Sequence, residues 1–132
     1  MKFTILDTER TNNFNDVDVQ SKIANLWTRN MPAIKEASAQ GLVIACIYHN
    51  YASDYKGDYS VSLCVEDDNG VFDTSSTTWQ EYTVKPNNQD GIFRTWQTIW
   101  SAEERNTLNR TYTFDFERYS PDGTISISIA VR

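Results

Sequence analysis

The feature that most constrains this chain is a strict alternation of apolar and polar residues in separate stretches. Tyr59, Val61, Leu63 and Val65 alternate with Ser60, Ser62, Cys64 and Glu66; Ile125, Ile127, Ile129 and Val131 alternate with Ser126, Ser128 and Ala130. A strand sends successive side chains to opposite faces, so a period of two specifies a sheet with one face turned to a core. Each stretch follows another β-type run and a turn signal. Leu42–Tyr48 (LVIACIY) precedes ASDYKGD, and Tyr112–Tyr119 precedes SPDG. Gly, Asp and Pro supply the dihedrals that tight connections require, so both pairs are expected to be antiparallel hairpins.

Outside the hairpins the chain reads more loosely. Met1–Asp7 is a short strand with Phe3 and Ile5 on one side, and Thr11–Val19 is a polar, extended stretch. Asp18–Arg29 has helical spacing at Ile23, Leu26 and Trp27, with Asp16 or Asp18 as its cap. Met31–Gln40, bracketed by Pro32 and Gly41, is expected to be irregular, and EDDNGVFDTSST a loop. Trp79–Lys85 alternates again, Pro86–Gly91 is a turn, and Trp96–Glu104 is a helix with Trp96, Ile99 and Trp100 on one side.

Set out this way, the chain states one pattern twice. Leu26-Trp27, YHNY at Tyr48–Tyr51, Gly57 and YSVSL are followed by Ile99-Trp100, FERY at Phe116–Tyr119, Gly123 and ISISI. With a strand before each helix, this predicts an α+β fold: two βαββ units related by a pseudo-twofold, one antiparallel sheet, helices on one face and a central cleft. The 132 residues form one domain, with halves of roughly 1–72 and 73–132. The alignment matches His49 with Glu117 and Tyr51 with Tyr119.

Charge narrows the function. The net charge is −6, with no basic stripe, which argues against nucleic acid and against an anionic membrane surface. No apolar h-region opens the chain, and no apolar run has membrane-spanning length, so a cytoplasmic location is expected. Cys46 and Cys64 lie in apolar strands and read as buried free thiols. With one histidine, no clustered ligands and no nucleophile motif, neither a metal nor another cofactor is implied.

The abundant aromatic residues, 4 Trp, 7 Tyr and 6 Phe, suit a ligand pocket. Within TYTFDFERY, Asp115, Glu117 and Tyr119 share one strand face. Glu117 either faces solvent, pairs with Arg94, Arg110 or Arg118, or stands among aromatic rings where a lipophilic cation would neutralise it. Glu66, at the end of its strand, is a second candidate carboxylate. Trp79 and Trp96 flank element boundaries and are candidate rim residues, with Tyr82, Tyr48 and Tyr119 as further ligand contacts. Trp27 and Trp100 are read as helix core, and His49 as a strand-end polar residue.

Y-x-x-x-x-x-G-x-Y-S-V, W-x-x-I-W and F-E-x-Y, spread between Gly41 and Arg132, resemble the GyrI-like small-molecule-binding superfamily. That group includes effector-binding domains of AraC-type and MerR-type transcription regulators and stand-alone copies carried on integron gene cassettes. The resemblance implies two βαββ units about a cleft, and a hydrophobic cation bound through the Glu of F-E-x-Y, here Glu117 beside Tyr119. Two departures matter. No helix-turn-helix extension is evident, so a transcriptional role does not carry over directly. Cys64 stands where many members have Gly, which is expected to narrow the cleft. A binding role for amphipathic cations is preferred to a catalytic one. The alternatives are a small-molecule hydrolase with Glu117 as general base, and a protein-interaction module. A transcription regulator or a second copy of the chain is the candidate protein partner.

Overall fold

The computed structural model describes residues 1–85 and 90–132. Seven strands, β1 (Lys2–Thr11), β2 (Ile44–His49), β3 (Tyr59–Glu66), β4 (Phe72–Asp73), β5 (Thr78–Thr83), β6 (Phe114–Tyr119) and β7 (Ile125–Val131), form one curled antiparallel sheet. Its order is β4-β1-β3-β2-β6-β7-β5. Helices α1 (Val19–Arg29), α2 (Met31–Ala39) and α3 (Gly91–Glu104) complete the fold. Reading outward from the β2–β6 seam, β2-β3-β1 on one side is matched by β6-β7-β5 on the other, the arrangement expected of two βαββ units.

Alternation divides the side chains between two faces. On the helix face, Ile44, Cys46, Tyr59, Val61 and Leu63 pack with Leu26 of α1 and with Ile34 and Ala37 of α2. Across the seam, Ile127 and Ile129 pack with Ile99 of α3, Val84 and Leu108. The back face has its own cluster of Phe3, Ala45, Ile47, Cys64 and Phe116, joined by Phe72, Trp79 and Phe114. Cys46 and Cys64 are both free and buried, and they fall in opposite-face clusters.

Several elements differ from the sequence-based expectation. The first strand does not stop at Asp7 but runs to Thr11. Its register with β3 shifts between Ile5 and Asp7, so the extra residue Leu6 resets the alternation. Beyond that bulge the helix-facing residues are Asp7 and Glu9, held by Arg29 of α1 at 2.6 and 3.1 Å. A polar strand face tied to a helix does not resemble a half-buried strand in sequence.

The segment after Pro32 is helical, with the proline in the first turn, where its missing N–H has no intrahelical role. Ile34 and Ala37 drive its docking. α3 starts at Gly91, five residues before Trp96, and the expected loop after β3 contains the short β4. Asp18 holds the N-cap position of α1 without a side-chain bond; Asp16 instead accepts the Asp18 N–H at 2.9 Å. Of the expected Pro86–Gly91 turn, residues 86–89 lie outside the described residues.

Matching His49 to Glu117 puts residues of opposite faces together. His49 bonds Ser62 and sits against Phe72 on the back, whereas Glu117 is level with Cys46 on the helix face. A one-residue slip in a strand alignment inverts the face. Cys64 is likewise a back-face residue and leaves the helix face unobstructed.

Two glycines separate steric from conformational constraint. A Cβ on Gly70 would overlap the Phe3 backbone, whereas one on Gly123 meets open space but at φ +92°. Gly123→Ala is therefore expected to cost about 1 kcal/mol. Gly70→Ala should cost more, because the β4 connection must move off β1. Urea denaturation of both variants tests that order.

Candidate functional site

A cleft of about 500 Å³ opens on the helix face, between α1 and α3 and above the β2–β6 seam. That volume is in the range of small-molecule pockets. Tyr48, Tyr59, Glu117 and Tyr119 form its floor, Ile23 and Trp27 of α1 one wall, and Ile92, Trp96 and Trp100 of α3 the other. At the mouth, Phe14 packs on Trp100 and Tyr55 at 5.8 and 5.9 Å, and Phe93 stands on Trp100. Phe14 and Phe93 remain 55% and 57% exposed, unusual for phenylalanine and consistent with an aromatic entrance.

Glu117 is 4% exposed and is held by side chains from three elements. Tyr48 of β2 and Trp96 of α3 each donate to Oε2 at 2.8 Å, and Tyr119 of β6 donates to Oε1 at 2.6 Å. All three donors are neutral, and among the described residues Glu117 makes no ion pair. Oε1, with one donor, keeps acceptor capacity. The supporting rings lock one another: Trp96 stands edge-on to Tyr48 at 5.1 Å, and Trp27 to Tyr119 at 5.0 Å.

A second polar cluster sits beside the first. Asp115, two residues before Glu117 on the same face, is fully buried. It accepts bonds from Arg110 Nη2 at 2.7 Å, the Tyr51 hydroxyl at 2.5 Å and the Ala130 N–H at 2.8 Å. Arg110, whose side chain is 2% exposed, also reaches Glu103 at 3.4 Å and stacks on the Tyr112 ring at 4.3 Å. Tyr112 donates to Glu103 and adopts φ 57°, a left-handed backbone that a bulky residue rarely takes and that these contacts hold in place.

Of the residues singled out from sequence, the fold brings Glu117, Tyr119, Trp96 and Tyr48 together. Trp79 is elsewhere: it lies on the back face against Phe114 and Phe116, with its indole N–H on the Thr74 carbonyl. Tyr82 faces the helices but packs in the Ile99 cluster rather than at the cleft. Glu66 accepts the Val43 N–H at 3.0 Å at the far end of β3. Trp27 and Trp100, read from sequence as core, are walls of the cleft. Their helical spacing identifies an inward face but does not distinguish a filled interior from a cleft. Arg110, one of the partners the sequence offers for Glu117, pairs with Asp115 instead, and the cleft residues Tyr51 and Tyr55 come from a connection that carries no periodic signal.

No protein-family model matches the chain. A Bacillus subtilis (strain 168) protein named "Putative transcriptional regulator protein YobU" is 25% identical to it, over 89% of this chain and 81% of that protein. Among solved structures, the integron cassette protein VCH_CASS2, from the mobile metagenome of Vibrio cholerae, superposes with a TM-score of 0.74 at 22% identity. That match covers 100% of this chain and 92% of the other. The two share a fold. No helix among the described residues is long and apolar enough to cross a membrane.

Burial raises the phenol pKa of Tyr48, Tyr51 and Tyr119 well above the usual value, and the carboxylates beside them add to the effect. In the folded protein these hydroxyls keep their protons, while in the unfolded chain they ionise near pH 10. Above that pH the unfolded state binds fewer protons, so stability is intact below about pH 10 and falls as pH rises past it. Absorbance titration near 295 nm should show these phenols ionising only as circular dichroism reports unfolding. Phenolate absorbance from all the tyrosines before unfolding would contradict the buried network.

Proposed function

We propose that this protein binds flat organic cations in the aromatic cleft, with Glu117 as the charge-selecting group. What carries this reading is the state of Glu117: a nearly buried carboxylate, oriented by three neutral donors and without an ion pair among the described residues. Removing a carboxylate from water costs several kcal/mol, and neutral hydrogen bonds offset only part of that. A bound cation supplies the missing charge, and the faces of Trp27, Trp96, Trp100 and Tyr59 supply stacking and cation–π attraction. A neutral molecule of the same shape gains the stacking alone.

The fold shared with an integron cassette protein, together with F-E-x-Y at the cleft floor, supports reading the chain as a GyrI-like effector-binding module. The name of the Bacillus relative, a transcriptional regulator, supports a sensing use in which occupancy of the cleft is passed to a partner protein.

The test is a titration of wild type and Glu117→Gln with N-methylquinolinium and its neutral isostere 1-methylnaphthalene, followed by tryptophan fluorescence and calorimetry. Three tryptophans line the cleft and report occupancy. Wild type should prefer the cation, and Glu117→Gln should weaken cation binding by about 10- to 100-fold, the worth of a hydrogen bond to a charged group. Equal binding of cation and isostere by wild type would sink the charge-selecting role.

A further inference from the structure

Four aromatic rings meet at the mouth of the cleft, and all of them reach solvent. Trp100 is at the centre. Tyr55 stacks on it at 5.9 Å with 15° between the planes, Phe14 tilts against it at 5.8 Å, and Phe93 stands edge-on at 6.2 Å. Phe14 and Phe93 are each more than half exposed. A single exposed apolar side chain needs no explanation, but several rings in one patch, continuous with a cleft, mark apolar surface that something else covers.

Hydrogen bonds hold this patch in place. Phe14 lies in the connection between β1 and α1, and buried Asn12 fixes the turn. Asn12 Oδ1 accepts the N–H of Phe14 at 2.8 Å and of Asn15 at 3.0 Å, while its Nδ2 donates to the Lys56 carbonyl and to Asp58, both at 3.0 Å. The adjacent Asn13 accepts the hydroxyl of Tyr59 from the cleft floor. Phe93 is carried in the first turn of α3. Both rings are positioned before anything binds, so a ligand that covers them spends little of its binding energy on ordering them.

The patch extends the cleft outward along α3. Trp96, which donates to Glu117, is four residues from Trp100, so the two rings are neighbours on one helix face, 6.3 Å apart. Phe14 and Phe93 lie on the next ring step, against Trp100. The carboxylate at this rim, Glu104, is matched by Lys56 at 3.5 Å and accepts the Tyr55 hydroxyl, and Lys56 lies over the Tyr55 ring at 5.6 Å. A second positive group would face Lys56 here, so an uncharged group suits the rim. We infer that Phe14 and Phe93, with Trp100, form an outer subsite for an apolar, ring-sized tail of a ligand whose cationic end lies at Glu117. The ligand is then a two-part amphipathic cation, a flat charged head joined to an apolar tail. This deepens the reading of Glu117 as the charge-selecting group and rests on it.

Two pairs of probes separate head from tail: N-methylquinolinium with N-(4-phenylbutyl)quinolinium, and the neutral 1-methylnaphthalene with 1-(4-phenylbutyl)naphthalene. The ratio of affinities within a pair measures the tail, and the comparison between pairs measures the charge. In the wild-type protein the tail should tighten binding of the cation by about 10- to 100-fold, the worth of burying a phenyl group. In the double variant Phe14→Ala, Phe93→Ala that gain should fall by about tenfold. Both side chains are largely exposed, and circular dichroism checks that the variant keeps the wild-type fold; if it does not, each single variant is measured in the same way. Sedimentation velocity on the same proteins reports whether a second copy of the chain covers the rim.

No gain from the tail in the wild-type protein, or the same gain in the variant, would overturn the outer subsite. If N-methylquinolinium still bound better than 1-methylnaphthalene, the reading of Glu117 would survive that loss. A wild-type dimer that the variant abolishes would also overturn the subsite, by assigning the rim to a second copy. If the two short probes bound equally while the tail gain still depended on Phe14 and Phe93, the cation reading would fail and the assignment of the ligand as a cation with it.

Discussion

The pairing of β2 with β6 is the constraint on which the rest depends. It joins the two halves, and its register sets Cys46 beside Glu117 and Tyr48 beside Asp115. Moving that register by one residue would send Glu117 to the back face among Phe3, Ala45 and Ile47, and Phe116 to the helix face in its place. The seam also supplies donors to Glu117 from both sides: Tyr48 comes from the first half, and Trp96 and Tyr119 from the second. The carboxylate is therefore held only when the halves are joined correctly, which couples the integrity of the site to the central pairing of the sheet.

The two carboxylates of β6 on the helix face have opposite situations, although the same strand presents them. Asp115 is fully buried, with a guanidinium, a phenol and a backbone N–H filling its acceptor sites. Its charge is matched within the protein, and it acts as the anchor that holds Arg110 and Tyr51 at one end of the cleft. Glu117 receives only neutral donors. Removing one partner of a buried ion pair leaves an uncompensated charge, so the Asp115 site is dominated by folding energetics. Glu117 has its geometry fixed by these donors, but among the described residues no ion pair matches its charge.

Much of this was legible in the sequence because alternation is a direct record of burial. The hairpins at Tyr59–Glu66 and Ile125–Val131, the repeated helix–strand–strand pattern and the shared face of Asp115, Glu117 and Tyr119 all follow from a period of two. The misreadings have physical causes. A single bulge at Leu6 hid half of β1, and α2 was hidden by a proline that a first helical turn tolerates. Trp79 was misplaced because alternation assigns residues to two faces without saying which one bears the cleft. In this sheet both faces are covered by apolar side chains, so hydrophobicity alone could not choose. Arg110 joins Asp115 by a bend of the chain at Tyr112, whose left-handed backbone gives no signal in the pattern of residue types.

The cleft is a geometric consequence of how the helices divide the sheet. α1 and α2 cover one half through Leu26, Ile34 and Ala37, and α3 covers the other through Ile99. Each helix packs over its own hairpin, so neither fills the line above the seam. The back-face cluster supplies further packing that owes nothing to the helices, which lets the sheet hold together without closing that gap. The residues that edge the gap are too large to leave it lined by backbone and too rigid to collapse into it: Trp27 braces Tyr119, and Trp96 braces Tyr48. Aromatic side chains with few rotatable bonds lose little entropy when held this way. A fold with one helix layer over each half of the sheet thus produces a central aromatic cleft, with Glu117 on its floor.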